Sequence, residues 1–270
     1  GSSAHSNCGL LVSGDIALDA LSTELACMEW SAVNPENVIG DAKHLISLFK
    51  KEIFLPLSNR NKDTTLACPT IEWLTEGAIL IRLLDMLKSA GTGDEVRIAV
   101  FYLSERDVIQ AIKAAARKGA NIKIILDANR DAFGHTKIGI PNRPVAAELL
   151  NMAKKHNLNI SIRWADTHGE QFHHKAVCIV NKDRQKYQFM CGSANWTRRN
   201  LADLNLEANL FLNNAPEITS RFIEYFDQAW NNSNGLRFTA DYYKVGEKGW
   251  TLFWKSIVYR LQEATGVCTF

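Results

Sequence analysis

Apolar residues recur along this chain in two rhythms. In "IEWLTEGAILIRLLDMLKSA" they fall three and four apart, which predicts a helix ending at Gly91. "EVRIAVFYL" is a short, largely apolar run, the pattern of a strand buried on both faces. Ser104 stands where an N-cap belongs, ahead of "ERDVIQAIKAAARKG", in which Ile109, Ile112 and Ala116 share a face and Gly119 ends the helix. "NIKIILDA" reads as the next strand. Strand, helix and strand predict a βαβ unit, so the expected fold class is α/β: a mixed, mostly parallel sheet flanked by helices on both faces. "NRDAFGHTKIGIPNRP" follows as a loop at a strand's C-terminal end, where ligand sites gather in such sheets. The block closes with a helix ("VAAELLNMAKKHN"), strands at "NISIRWA", 172–180, the run into "CGSAN" and "ANLFLN", and a last helix at "PEITSRFIEYFDQAWNN".

The two ends carry further patterns. Residues 7–30, "NCGLLVSGDIALDALSTELACMEW", align without a gap on residues 207–230, "EANLFLNNAPEITSRFIEYFDQAW". Leu10 falls on Leu210, Glu24 on Glu224 and Trp30 on Trp230, and both segments read as strand, turn, helix, terminal Trp. The match is either chance likeness of two amphipathic segments or the tail of a first copy of the same domain. The second reading divides the chain into a tail of a first half (1–30), a linker with a short helix at "GDAKHLISLFKKEI" (31–66), a main domain (67–230) and an aromatic-rich extension (231–270). In that extension "GWTLFWKSIVYRLQEA" gathers Trp250, Phe253, Trp254, Ile257, Val258 and Leu261 largely on one helical face. Such a face is expected to dock on its own domain, with an interfacial lipid-binding helix as the alternative.

Composition adds bounds. The 270 residues are 46% hydrophobic and 22% charged, with 31 basic and 29 acidic side chains and a formal charge of +2. A dedicated nucleic-acid binder usually carries a stronger basic excess. No apolar run approaches the roughly 18 residues of a membrane span, and "GSSAHSN" does not read as a signal peptide. Six cysteines (Cys8, Cys27, Cys68, Cys178, Cys191 and Cys268) form no CxxC pair. They suit either disulfides in an oxidising compartment or buried free thiols. A hairpin over 176–192 turning at "DRQK" sets Cys178 opposite Cys191, where a cross-strand disulfide is conceivable.

The chemistry concentrates in "QFHHKAVCIV" and "CGSANWTRRNLADLNLEANL". Alternation along a strand puts His173 and Lys175 on one face and His174 on the other. Burying an imidazole and an ammonium without partners costs several kcal/mol, so an anion is expected between them. Gly192 and Ser193 form a turn that permits close backbone approach, and Asn195 supplies a two-donor amide. Cations, amide and hydroxyl converging on an imidazole suit a phosphate, with the imidazole attacking phosphorus or moving a proton. Glu207 is the carboxylate expected to fix the His173 tautomer. Metal binding by His135, His168, His173, His174 and Asp166 is the competing reading, although no HExxH-like spacing supports it.

Together "HHKAVCIV", "GSANWT" and "NLE" resemble the HxK…GSxN…E signature of the phospholipase D superfamily, over about residues 67–230. The resemblance implies that His173, Lys175, Asn195 and Glu207 are catalytic, that Ser193 and Trp196 meet substrate, and that no cofactor is needed. It implies the C-terminal half of a secreted or periplasmic phospholipase D, acting on phosphatidylcholine-type lipid through a phosphohistidine. A second HxK motif, carried by an N-terminal half, is then the expected partner, with no dedicated nucleic-acid partner. That other His would be the nucleophile, and His173 the general acid and then base. The chain departs from the pattern at Val180, where the family usually has Asp; Asp183 lies three further on. "HTK" at 135–137 formally fits HxK but precedes no GSxN. Two alternatives stay open: a nuclease of the same superfamily completing its site by homodimerisation, and a non-catalytic phosphate- or lipid-binding module.

Overall fold

The computed structural model describes residues 5–31, 40, 44, 69–129, 131–132, 135–136, 138–167, 170–245 and 249–265. At the N-terminus a short strand β1 (His5–Ser6) leads to helix α1 (Ile16–Ser31). The main block begins with β2 (Thr70–Thr75), α2 (Gly77–Ser89), β3 (Glu95–Val100), α3 (Arg106–Arg117) and β4 (Asn121–Leu126). Two-residue strands β5 (Asp131–Ala132) and β6 (His135–Thr136) interrupt the loop before α4 (Asn142–His156) and β7 (Ile160–Ala165). Then come β8 (Gln171–Phe172), β9 (Lys175–Asn181), β10 (Lys186–Gly192), α5 (Arg198–Leu201), β11 (Ala208–Asn213) and α6 (Pro216–Asn231). The C-terminal part adds β12 (Thr239–Asp241), α7 (Tyr242–Val245) and α8 (Trp250–Thr265).

Eight strands form one mixed sheet in the order β12-β7-β4-β3-β9-β10-β11-β2. The expected mixed α/β architecture is present, but the sheet is not mostly parallel: within it only β3–β4 and β4–β7 pair in parallel, and its other five pairings are antiparallel. The reason lies in the connections. The helical crossovers α3 and α4 return the chain in the same direction, whereas the tight β9–β10 turn reverses it. Alternate residues of the central strands face two separate cores. Val96, Ile98, Val100, Val177, Ile179 and Met190 pack under α2, α3 and α4. Ala99, Ala176, Cys178, Phe189, Cys191 and Leu210 face the opposite way, onto Phe222 and Phe226 of α6.

Several sequence expectations change. The predicted helix over "IEWLTEGAILIRLLDMLKSA" begins only at Gly77, because "TIEWLT" pairs as an edge strand with β11 and Glu76 turns the chain at φ 46°. The cap of α3 is Glu105, whose carboxylate accepts from the Asp107 N–H, and not Ser104. The β9–β10 turn spans Lys182–Gln185, so Cys178 opposes Phe189 and Cys191 opposes Ala176. Both thiols are free, as are Cys8 and Cys27; Cys68 and Cys268 lie outside the described residues. The thiol in contact with Cys191 is that of Cys8. The linker helix falls almost wholly outside the described residues as well.

The N-terminal segment is helical over α1, as the internal alignment suggests, but residues 7–13 form no strand. Instead Cys8, Leu10, Val12 and Ile16 lie across the second core while Leu11 points out. Helix α8 also differs from expectation. Its buried positions are Tyr259 and Glu263, and the aromatic face with Trp250, Phe253 and Trp254 is turned to solvent. Hydrogen bonds explain the choice of face: Tyr259 Oη donates to the Ser104 carbonyl at 2.9 Å, and Arg198 donates to the Glu263 carbonyl at 3.2 Å.

The second core rests on few large side chains, and Phe226 of α6 is fully buried among them. Phe226→Ala is expected to cost about 3–5 kcal/mol of unfolding free energy. Urea denaturation measures it, and a loss under about 1 kcal/mol would mean that α6 is not anchored there.

Candidate active site

The expected site residues collect at one end of the sheet. Here β3 and β4 finish, β9 begins and β10 runs into the Gly192–Asn195 turn. Cross-strand bonds set the register. The Phe101 N–H donates to the His174 carbonyl, and the His173 N–H donates to the Ser6 carbonyl, both at 2.8 Å. The Trp196 N–H donates to the Tyr102 carbonyl at 3.0 Å. Residues 173–175 and 195–196 are thereby both tied to the stretch 101–103.

Gly192 has a strict reason to be glycine. A Cβ there would stand 2.2 Å from the Ala208 carbonyl oxygen and 2.5 Å from Asn209 Cα, inside any tolerated contact. This close approach lets the Ser193 N–H donate to the Ala208 carbonyl at 2.9 Å, and the Ala194 N–H to the Asn209 side chain at 3.3 Å. The turn then presents Asn195, whose Oδ1 is buried with no hydrogen-bond partner among the described residues. A buried polar atom without a partner costs on the order of 1–3 kcal/mol, so its position calls for a reason beyond stability.

Lys175 is only 4% exposed. Its ammonium donates to the His173 carbonyl at 2.9 Å and lies 5.5 Å from the centre of the Phe101 ring. Burial pushes it down to about 8, against the opposing charges of Glu207 and Cys8. His173 is half-buried, with its ring 5.0 Å from that of Phe101 and 5.3 Å from that of His5. Burial first, then the charges of Lys175, His5 and His174, hold it at about 4. At neutral pH the pair is therefore a neutral imidazole beside an ammonium.

His174 points into the second core, as strand alternation requires. Its Nε2 meets Ser6 Oγ at 2.9 Å and Tyr225 Oη at 3.0 Å. Two expectations need correction. Trp196 is fully buried and bridges to Leu103, so its ring packs in the core and is not presented to substrate. Glu207 does not hold His173: its carboxylate accepts from Ser193 Oγ and from Asn200 Nδ2, and its link to the catalytic pair is electrostatic, through Lys175. Through the Ser193 hydroxyl the carboxylate braces the Gly192–Asn195 turn. At the position where the superfamily usually has Asp, Val180 packs in the second core. The polar support comes one residue later, from Asn181, which donates to Asp94 at 2.7 Å and accepts from the Arg184 N–H at 3.1 Å.

Sequence reasoning missed a buried polar frame behind the site. Asp127 accepts from the Phe172 N–H at 3.0 Å and from the Asn129 N–H at 2.6 Å. Asn142 donates to the carbonyls of Phe101 and Asp127 at 2.6 and 2.8 Å and accepts from the Leu103 N–H at 2.8 Å. These side chains satisfy backbone groups where the strands end, and so fix both stretches that carry the site. The available signal was polar residues beside buried strands in "LDAN" and "IPNRP". His5 was missed too. For two imidazoles to flank a phosphorus in line, their reactive nitrogens need roughly 7 Å, from one attack distance, one P–O bond and one hydrogen bond. With ring centres 5.3 Å apart, His5 and His173 leave no such space. Among the described residues no group of three or more His, Cys, Asp or Glu is placed to hold a metal; His168 lies outside them.

Three expected outcomes follow from this geometry. Gly192→Ala forces the turn off β11; it is expected to lower the melting temperature and cut turnover a hundredfold or more, and an unchanged melting temperature would contradict the close approach. The pH profile of kcat/KM is expected to rise through about 4 as His173 loses its proton and to fall through about 8 as Lys175 loses its charge. Glu207→Gln removes a charge that favours the ammonium, so the falling limb should move to lower pH; a limb that stays put would disconnect Glu207 from Lys175.

Comparison with known proteins agrees with the fold. A family model described as "Cardiolipin synthase, PLD-like domain" matches residues 83–230, more than half of the chain. Among solved structures, the chain is similar to a phosphatidylserine synthase from Haemophilus influenzae Rd KW20, at 11% identity and a TM-score of 0.52, covering 87% of this chain and 54% of that one. It is also similar to Nuc, a phospholipase D family member from Salmonella typhimurium, at 21% identity and a TM-score of 0.48, covering 65% of this chain and 99% of that one. NucT from Helicobacter pylori matches at 19% identity and a TM-score of 0.47, over 61% of this chain and 97% of its own. Among curated proteins none matches. The chain belongs to the PLD-like domain family of the phospholipase D superfamily, whose members cleave or transfer phosphodiesters.

Proposed function

We propose that this chain is one catalytic half of a phospholipase D-type hydrolase, which cleaves a phospholipid headgroup of the phosphatidylcholine type to phosphatidate and the free alcohol. The observation that carries the reading is the placing of His173, the buried Lys175 and the Asn195 turn together at one end of the sheet. A phosphodiester supplies the anion that Lys175 lacks, and the amide of Asn195 offers donors to a second non-bridging oxygen.

A ring held neutral in the free protein is ready to attack and has no proton to give. We therefore assign His173 as nucleophile, which reverses the role that family resemblance suggested. Its nitrogen forms a bond to phosphorus as the P–O bond to the headgroup alcohol breaks, and a second, protonated imidazole gives that alcohol its proton. Water then attacks phosphorus and yields its proton to the second imidazole. The P–N bond breaks and phosphatidate leaves. His5 is too close to His173 to be that second group. The reading therefore takes it from another copy of the domain, an N-terminal half of the same enzyme. A homodimeric nuclease would meet the same need with a second copy of this chain.

The test uses phosphatidylcholine in mixed micelles, and single-stranded DNA as competing substrate. Hydrolysis of the lipid in the presence of EDTA is expected, once the second half is supplied. His173→Ala and Lys175→Ala should each lower it a hundredfold or more without unfolding the protein, whereas His174→Ala should act mainly on stability. Trapped phosphate on a peptide containing His173 would support the nucleophile assignment. Cleavage of DNA but not lipid would favour the nuclease, and full activity from a monomeric chain would end the two-histidine scheme.

A further inference from the structure

The best-exposed apolar surface belongs to α8. At 3.6 residues per turn, Trp250, Phe253, Trp254, Ile257 and Leu261 fall within an arc of roughly 100°. Trp250, Phe253, Trp254 and Leu261 are 69, 52, 50 and 60% exposed. The rings form a continuous patch: Trp250 stacks on Phe253 at 5.3 Å and meets Trp254 edge-on at 5.8 Å. The helix is nonetheless held firmly from behind. Tyr259 is buried and bonded to Ser104, Arg198 reaches the Glu263 carbonyl, and Arg260 pairs with Glu148 at 3.0 Å. An amphipathic helix normally docks by its apolar face. This one docks by the opposite face and is fixed with its aromatic side outward.

We infer that the aromatic face of α8 is a membrane-docking surface, which seats the protein on a bilayer containing anionic lipid. Tryptophan and phenylalanine backed by basic residues suit the headgroup boundary. Over its whole length α8 carries Lys255 and Arg260 against one carboxylate, the buried Glu263, and Arg260 shares the single carboxylate of Glu148 with Arg106 and Lys113, so the helix and its flank keep a positive excess. That charge pattern complements a negative lipid surface. A second copy of the chain is the weaker occupant. The four exposed side chains offer on the order of 400 Å², about half of the roughly 800 Å² per partner that a stable dimer buries. The C-terminal end of the same helix reaches the catalytic turn, since Arg198 lies three residues past Asn195. This inference goes beyond the hydrolytic reading, and adsorption is measured without turnover, so either can fail alone.

The experiment is cosedimentation of the whole chain with extruded vesicles, of phosphatidylcholine alone and of phosphatidylcholine mixed with phosphatidylglycerol. The wild type is expected to bind the mixed vesicles more tightly, and less so at high salt. The triple variant Trp250→Ser/Phe253→Ser/Trp254→Ser should lose binding about tenfold or more, with an unchanged circular dichroism spectrum. Trp254→Lys alone should weaken it in the same direction, a check should the triple variant misfold. With the second half supplied, hydrolysis of a soluble aryl phosphodiester should be unaffected by either. Vesicle binding equal to wild type in both variants, or no binding by the wild type, would overturn the inference. So would a wild-type dimer that the triple variant dissolves while vesicle binding is unchanged.

Discussion

An ammonium that is almost fully buried must find an anion or give up its proton. Lys175 is in that position: its hydrogen bond goes to a backbone carbonyl, and the carboxylate that acts on it, Glu207, is engaged by Ser193 and Asn200. Its proton is correspondingly loosely held. Burial, reinforced by the same charge, favours the neutral form of the neighbouring His173. Burial at this end of the sheet therefore shapes both halves of the chemistry, a receptor for a phosphate oxygen and an imidazole with a free lone pair. A bound phosphodiester would stabilise the ammonium and so tighten the site that it enters.

The sheet keeps those groups in place through contacts that leave little freedom. Gly192 lets β10 press against β11, and the turn that follows is bonded to the backbone and side chains of residues 207–209. On the other side, Asp127, Asn129 and Asn142 take up the backbone groups that the ending strands leave unpaired. Such a frame costs desolvation and is favourable only when every member is bonded. It places the reactive side chains at strand ends.

Much of this was legible in the sequence because strand alternation is strict. The faces of His173, Lys175 and His174 follow from their spacing alone, and so does the burial of Val177 and Ile179. The α/β class follows from the run of strands and helices between residues 95 and 165. What failed depended on tertiary choices. "TIEWLT" has apolar spacing that suits a helix, but the exposed edge of β11 offered it a ladder of backbone bonds. Glu207 is engaged by Ser193 and Asn200, donors that the fold brings to it and that strand spacing does not encode. The orientation of α8 was decided by the Tyr259 hydroxyl and two arginines, against the hydrophobic pattern. Trp196 looked like a recognition residue because it adjoins Asn195, yet its backbone bridge to Leu103 commits the ring to the core.

The most direct measurement of the central claim is a titration with inorganic phosphate or vanadate, followed by NMR of the His173 imidazole and the Lys175 ammonium. The predicted result is saturable binding that shifts both signals and raises the pH at which Lys175 titrates, because the bound anion stabilises its charge. Lys175→Met should abolish binding while leaving the fold intact. Phosphate that leaves both signals unmoved, or that binds Lys175→Met as tightly as the wild type, would contradict the assignment of this pair as the phosphoryl site.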